Sequence, residues 1–332
     1  MDLQELVNNG VLSAPQVTAT INNLPATPTR LAQMGLFQEE GLLGTDVLSV
    51  AINGHTLTLV PNVPRGAPAQ PKTLKAGEFE TFKACHLPQR SNLMADTLKK
   101  AFAPDLDPSQ GTAERVISNL LQVHRRDNDY TMEYHRLGAL KGLILDSDGS
   151  VILNLHEKFK VEPIEISMGL NVAGAKMRAK VLGIKRAIED QLGGVPYTGI
   201  HVFTGSDFFD SFTGHASVEK AYDRWQEGAA LRDDNRTDFR MAGVMFEELS
   251  GGFGAGKPYI ASDEALAFPI GVPDQYITRF APADYIETVT GEGLPYYSKS
   301  HPMEFNKGVQ LESQSNPINL NLRPRTAIRL KK

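Results

Sequence analysis

The sequence predicts an α+β fold, on three observations. A long amphipathic run begins near Thr112 and continues to about Leu140, with apolar positions at Val116, Ile117, Leu120, Leu121 and Val123, then Tyr130, Tyr134 and Leu137. Two-residue alternation, the signature of a half-buried strand, marks Ile164, Ile166 and Met168, and again Ile318, Leu320, Leu322, Ile328 and Leu330. The run V-L-S-V-A-I-N-G-H-T-L-T-L-V from Val47 to Val60 places alternating residues on both sides of Asn53-Gly54, a two-residue hairpin signal.

With 332 residues, 41% of them hydrophobic and 22% charged, the chain can bury a core in one large domain or two modest ones. The first 50 residues are interrupted by Pro15, Pro25 and Pro28, and only residues 2–8 suggest a short helix, so this region is expected to be an arm. After the hairpin, Pro61, Pro64, Pro68 and Pro71 exclude a sheet interior. A returning strand near Phe79 to Leu87 then completes a projection of about 40 residues, too long for a connector inside a compact domain. Its partner is expected outside the monomer.

The 112–140 helix would span on the order of 40 Å, the length of a domain's spine. Arg125, Arg126, Asp127 and Asp129 interrupt its stripe and leave room for a kink. L-K-G-L-I-L-D-S-D-G-S-V-I-L-N-L-H reads as two strands around a turn at Asp146 to Gly149, which with the alternation at 164–168 forms a small antiparallel sheet. Residues 172–192 read as a second amphipathic helix, apolar at Met177, Val181, Ile184, Ile188 and Leu192 and ended by Gly193-Gly194. Beyond Pro196 the elements shorten: a strand at 200–203, a turn or helix through S-D-F-F-D-S-F, a helix at 218–226, and strands at 244–249 and 259–267 around a glycine loop. The tail alternation at 318–330 reads as a strand pair rejoining the first domain's sheet.

Charge is distributed unevenly. The formal net charge of −5 argues against a dedicated nucleic-acid binder. Residues 1–50 carry Asp2, Glu5, Glu39, Glu40 and Asp46 against Arg30, whereas residues 313–332 carry Arg323, Arg325, Arg329, Lys331 and Lys332 with no acid. Two readings stand: the acidic arm of one subunit docks on a basic patch of another, or both ends are solvated. No stretch has the ~18 consecutive apolar residues of a membrane helix, and M-D-L-Q-E-L lacks the basic and apolar regions of a secretory leader. Cytoplasmic synthesis is the expectation. Cys85, the single cysteine, rules out an internal disulfide and a cysteine-based zinc or iron–sulfur site.

Motifs that suggest chemistry fail on inspection. Gly251 to Lys257 satisfies G-x-x-x-x-G-K of a phosphate loop, but Pro258 stands where a Ser or Thr hydroxyl should meet magnesium, and strand-like residues follow. Asp146 and Asp148 with Gly149 fit a hairpin turn better than a calcium loop, because no glutamate occupies the twelfth position. Asp207 and Asp210 fit helix capping better than an acid–base pair. His124 and His135 lie three helical turns apart and are expected to be surface or semi-buried side chains, and Cys85 with His86 forms no nucleophile–base pair. No catalytic set, metal site or cofactor is expected.

F-A-P-A-D-Y-I-E-T-V-T-G-E-G-L-P-Y-Y-S-K from Phe280 to Lys299 and E-S-Q-S-N-P-I-N-L-N-L-R-P from Glu312 resemble the C-terminal region of the lambda-like major capsid protein E family of tailed phages, and the order of elements agrees. The resemblance is specific over about residues 195–332 and one of layout before that. It implies the Hong Kong 97 fold: an N-terminal arm (1–46), an extended β-hairpin loop (47–95), a peripheral domain of spine helix plus antiparallel sheet (96–194), an axial domain (195–298), and C-terminal strands returning to the peripheral domain (299–332). The implied function is a self-assembling icosahedral shell of pentamers and hexamers around double-stranded DNA, in the virion, assembled in the host cytoplasm. DNA would be near but not gripped, given the negative charge.

Implied partners are further copies of the chain, a separate scaffold protein (no long helical segment precedes the arm), a portal and a decoration protein; no membrane is involved. Glu39, Glu40, Asp46, Arg65, Lys72, Lys75, Arg323, Arg325 and Arg329 are the segment-level candidates for inter-subunit contact. Some relatives cross-link a loop lysine to an asparagine, which Lys72, Lys75 or Lys83 with Asn316 could imitate. The rival readings are an encapsulin-like compartment and a nucleotide-binding enzyme using Lys257.

Overall fold

The computed structural model describes residues 13–51, 79–94, 111–223, 236, 238–254, 256 and 258–332. The helix suggested at 2–8, the Asn53-Gly54 turn and the proline-rich loop to residue 78 lie outside them. In chain order the elements are α1 (Ala14–Asn23), α2 (Arg30–Met34), β1 (Gln38–Gly41), β2 (Val47–Ala51), β3 (Phe79–Lys83), β4 (Leu87–Met94), α3 (Gly111–Lys141), β5 (Leu143–Leu145) and β6 (Val151–Asn154). They continue with α4 (Leu155–Lys158), β7 (Ile164–Ser167), α5 (Met177–Leu192), β8 (Gly199–Thr204), α6 (Ser206–Thr213), α7 (Ala216–Asp223), β9 (Phe239–Met241) and β10 (Val244–Glu248). The last are β11 (Glu264–Ile270), β12 (Tyr276–Phe280), β13 (Tyr297–Pro302), β14 (Gly308–Ser315), β15 (Pro317–Asn321) and β16 (Ile328–Lys331).

The chain divides into two units. The first gathers Met1–Leu48, Thr81–Glu133 and Ile277–Asn319. Here the arm is more ordered than its prolines suggest. Pro15 sits in the first turn of α1, where its missing N–H has no intrahelical acceptor to lose, and Val17 and Ile21 recur four residues apart to make a buried stripe. That stripe packs with Leu93 of β4, Ile117 and Leu121 of α3, Tyr296, and Val309 and Leu311 of β14. β14 lies between β13 and β4, antiparallel to both. β1, β12 and β15 form a second three-stranded sheet, in which β1 runs parallel to β12.

The second unit gathers Ser49–Glu80, Tyr134–Tyr276 and Leu320–Lys332. Its centre is a mixed six-stranded sheet in the order β7-β16-β11-β8-β10-β9. β8 is buried along nearly its whole length, as expected of a strand covered on both faces. Met177, Val181, Ile184, Ile188 and Leu192 of α5, spaced on one helical face, join Phe208 and Phe212 of α6 and Val202 and Phe246 of the sheet in one core. Each such side chain contributes about 1.5–3 kcal/mol by leaving water. Gly193 ends α5 in the left-handed conformation, at φ 59°.

Several expectations change. The 164–168 alternation does not extend the β5–β6 hairpin; β7 instead pairs in parallel with β16. The two tail strands do not pair with each other, because β15 joins β12 and β16 joins β11 and β7. Alternation reports that a strand has a buried face but not which strand lies beside it. α5 starts at Met177 rather than 172, since the preceding residues are taken up by turns closed by Val172 N–H to the Gly169 carbonyl and Ala175 N–H to the Val172 carbonyl.

Two glycines in the second unit give opposite expectations. A Cβ on Gly205 would meet the Ala261 carbonyl oxygen at 2.1 Å, so Gly205→Ala should lower stability by about 1–3 kcal/mol or more. Gly183, inside α5 with nothing within 4 Å of its Cβ position, should gain about 0.5–1 kcal/mol on substitution by alanine. Denaturant melts of the two variants against the parent chain check both signs.

Candidate functional site

The spine helix α3 runs unbroken through the charged stretch that suggested a kink. Arg125, Asp129 and Glu133 recur every four residues and so lie one above another on a single face. That face holds the arm. Arg125 donates through one guanidinium nitrogen to the carbonyls of Ile21 (2.6 Å) and Asn22 (2.7 Å), at the C-terminal end of α1, where carbonyls lack intrahelical partners. One oxygen of Asp129 accepts the Thr27 N–H at 2.7 Å, and the other accepts the Tyr296 hydroxyl. Glu133 accepts the Leu31 N–H at 2.7 Å in the first turn of α2, the end of a helix that favours an anion. The charges are met laterally by backbone groups of the arm, so the helix has no reason to bend. Hydrogen bonds to charged groups contribute about 1.5–3 kcal/mol each.

The E-S-Q-S-N-P run forms a second polar centre. Ser313, Gln314 and Ser315 are fully buried, and their side chains are all bonded. The Ser313 hydroxyl meets His124 Nδ1 at 2.9 Å and the Ser298 hydroxyl at 3.0 Å, while His124 Nε2 meets the Ser91 hydroxyl at 2.7 Å. Gln314 donates to Asp284 at 2.7 Å, and Ser315 donates to the Pro295 carbonyl at 2.7 Å. Asn316 donates to the Pro282 carbonyl and to Gln314, and its oxygen lies 2.9 Å from His86 Nδ1. Arg90 pairs with Glu312 at 2.6 Å at the solvent edge.

His124 and His135, expected at or near the surface, are both buried, and burial pushes both imidazoles below their ordinary pKa. The face of α3 they occupy is covered, which a single helix's periodicity cannot reveal. The asparagine of the imagined cross-link is turned inward and bonded, Lys83 lies 3.9 Å from Asp46, and Lys72 and Lys75 fall outside the described residues.

Glu40, Asp46, Arg323 and Arg329, among the charges nominated at the two ends, make contacts within their own units. In the first, Glu40 pairs with Arg279 at 2.8 Å, Asp46 lies near Lys83, and Glu39 is exposed. In the second, Arg329 pairs with Glu165 at 3.1 Å and approaches Glu264 at 3.8 Å; Arg323 donates to the Leu192 carbonyl at 3.3 Å; and Arg325 is exposed. Lys331, and then Arg329, hold the Glu165 carboxyl below the usual range. Arg65 lies outside the described residues. Large apolar side chains also face solvent in the first unit: Leu43 is 76% exposed, Ile286 93% and Phe305 86%. Phe305 carries no signal in sequence beyond M-E-F-N-K-G between two strand patterns, and the Arg125–Asp129–Glu133 repeat is visible there only as charges spaced four apart.

The glycine loop does not form a phosphate cradle in its described residues. Gly252 and Pro258 form an antiparallel bridge, Phe253 packs edge-on against Tyr134 and Tyr259, and the next regular element is β11 rather than a helix. Lys257 itself is outside the described residues. At the hairpin turn, the Asp146 and Asp148 carboxylates accept the N–H groups of Ser147 and Ser150. No helix among the described residues is long and apolar enough to cross a membrane.

Residues 13–332 match the family model described as phage major capsid protein E. The chain is similar to the major capsid protein of Salmonella phage Felix O1, at 24% identity over 277 residues, covering 77% of this chain and 75% of that protein. It is similar to the major capsid protein of Pseudomonas phage KPP10, at 23% identity over 327 residues, covering 89% and 91%. Among solved structures, a phage-related protein from Bordetella bronchiseptica shares the fold over 96% of each chain, with a TM-score of 0.51 and 9% identity.

Acid should destabilise the subunit early. Burial places the folded-state pKa of His124, His135 and His156 below the unfolded value of 6.5, so the unfolded chain binds more protons as pH falls through 6.5 and stability drops. Lys141 acts in the same sense at higher pH. Burial pulls its ammonium down to about 8 from 10.5, so its contribution to stability rises between those values. Denaturation midpoints of unassembled protein should climb from pH 5 to pH 7, and His124→Gln should flatten that climb.

Proposed function

Because the chain belongs to the phage major capsid protein E family, we propose that its copies associate as pentamers and hexamers and close into the icosahedral head shell around double-stranded DNA. The chain is a structural protein of the phage head, and its task is to self-associate. The observation that carries the reading is that the family match runs across residues 13–332, through both units and every described element, rather than over one local motif.

The physical character of the subunit supports it. A shell tile must hold its shape while presenting adhesive edges. The buried, bonded polar run of β14 gives a single register to the first unit's sheet, and Leu43, Ile286 and Phe305 leave apolar side chains exposed that association could cover. In this reading the peripheral, axial, arm and loop assignments apply along the boundaries given above. The segments carrying Glu39, Glu40, Asp46, Arg65, Lys72, Lys75, Arg323, Arg325 and Arg329 contribute electrostatic contacts between copies. A separate scaffold protein guides closure, a portal occupies one vertex, a decoration protein covers the outer surface, and assembly takes place in the host cytoplasm. Packaged DNA lies close to a wall whose net charge of −5 per chain limits adhesion.

Sedimentation and electron microscopy of the purified chain, alone and co-expressed with a candidate scaffold protein, test this. Closed shells of uniform size are expected in at least one condition. A discrete monomer that forms no shell in either would overturn the proposal.

A further inference from the structure

Phe305 combines two unfavourable choices at one residue. Its ring is 86% exposed at the tip of the β13–β14 hairpin, and its backbone adopts the left-handed conformation, φ 59° and ψ 20°, which a bulky L-residue rarely occupies. Among the described residues the Lys307 ammonium lies 5.6 Å from the ring centroid, and the ring remains open to solvent. An aromatic side chain held out at the end of a hairpin is shaped to enter something else.

The same unit contains a matching receptor. Segments 44–46, 83–86 and 281–284, with Val289 and Asn316, enclose an open cavity of about 360 Å³, within the size range of small-ligand pockets. Its wall includes Cys85, Ala283 and Val289, and its carboxylates are Asp46 and Asp284 against the single lysine Lys83. It therefore offers apolar contact for a ring and negative charge for a cation two residues further on. The tip cannot reach the cavity of its own chain. β14 begins just after the tip and ends at Ser315, beside the cavity's Asn316, so its eight residues hold the two about 25 Å apart.

We propose that Phe305 of one copy inserts into this cavity of the adjacent copy, with Lys307 facing Asp46 and Asp284. Tip and cavity are different surfaces, so the contact is head-to-tail, and repetition closes it into a ring. The inference rests on the shell reading and names one of its contacts.

The single native cysteine lines the cavity, which permits a direct test in the full-length chain. Phe305→Cys shells treated with diamide should give a ladder of disulfide-linked oligomers on a non-reducing gel, and the ladder should vanish when Cys85→Ser is added. Phe305→Asp should reduce shell yield at least tenfold with an unchanged circular dichroism spectrum, while Phe305→Tyr retains it. If Phe305→Cys folds but fails to assemble while Phe305→Tyr forms shells, assembly requires the ring and the proposal is supported. Phe305→Cys shells that yield no Cys85-dependent ladder, or Phe305→Asp shells formed at the parent yield, overturn the contact and leave the shell reading intact. Failure of the parent chain itself to form shells overturns the reading on which the contact rests.

Discussion

A polar side chain can leave water only if its donors and acceptors are met elsewhere, and the first unit is organised around that constraint. Ser313, Gln314, Ser315 and Asn316 fall consecutively in a strand and its exit, so they point alternately to both faces. Each face must therefore supply partners: His124 and Ser298 on one, Asp284, Pro282 and His86 on the other. Displacing β14 by one residue would strand all of these groups at once. Four modest side chains thus set the positions of the spine helix, the 281–284 segment and the return of the long loop.

The arm follows from a related constraint. Helix ends carry unmet carbonyls and N–H groups, and the Arg125–Asp129–Glu133 face supplies a cation where α1 ends and an anion where α2 begins. The arm is seated by polar matching along α3 and by the apolar stripe of Val17 and Ile21. Such matching fixes direction as well as position, because a reversed arm would place like partial charges together.

What could be read in advance was local. The 3.6-residue stripe of α5 and the apolar residues Ile200, Val202 and Phe203 of β8 were legible because each pattern lies within one short stretch of sequence. The chemistry of the decoy motifs was legible too, since Pro258 and the turn at Asp146 to Gly149 carry their own stereochemistry. Strand partnership was not, because β7 and β16 are more than 150 residues apart and alternation names no partner. α1 was hidden by treating Pro15 as a breaker when it stands where proline is tolerated. Arg125 and Asp129 looked like interruptions of an apolar stripe, for the stripe says nothing of a second chain segment lying across it. Phe305 was invisible for a similar reason: exposure and backbone strain exist only in three dimensions.

β16 is flanked on both sides, by β11 and by β7, so it is an interior strand although it is synthesised after every strand it joins. Among the described residues β7 meets the sheet only through it. A nascent chain that stops before residue 328 leaves β7 detached and an open gap along β11, with Ile328 and Leu330 missing from the core. The six-stranded sheet is therefore closed by the last strand of the described chain to be made.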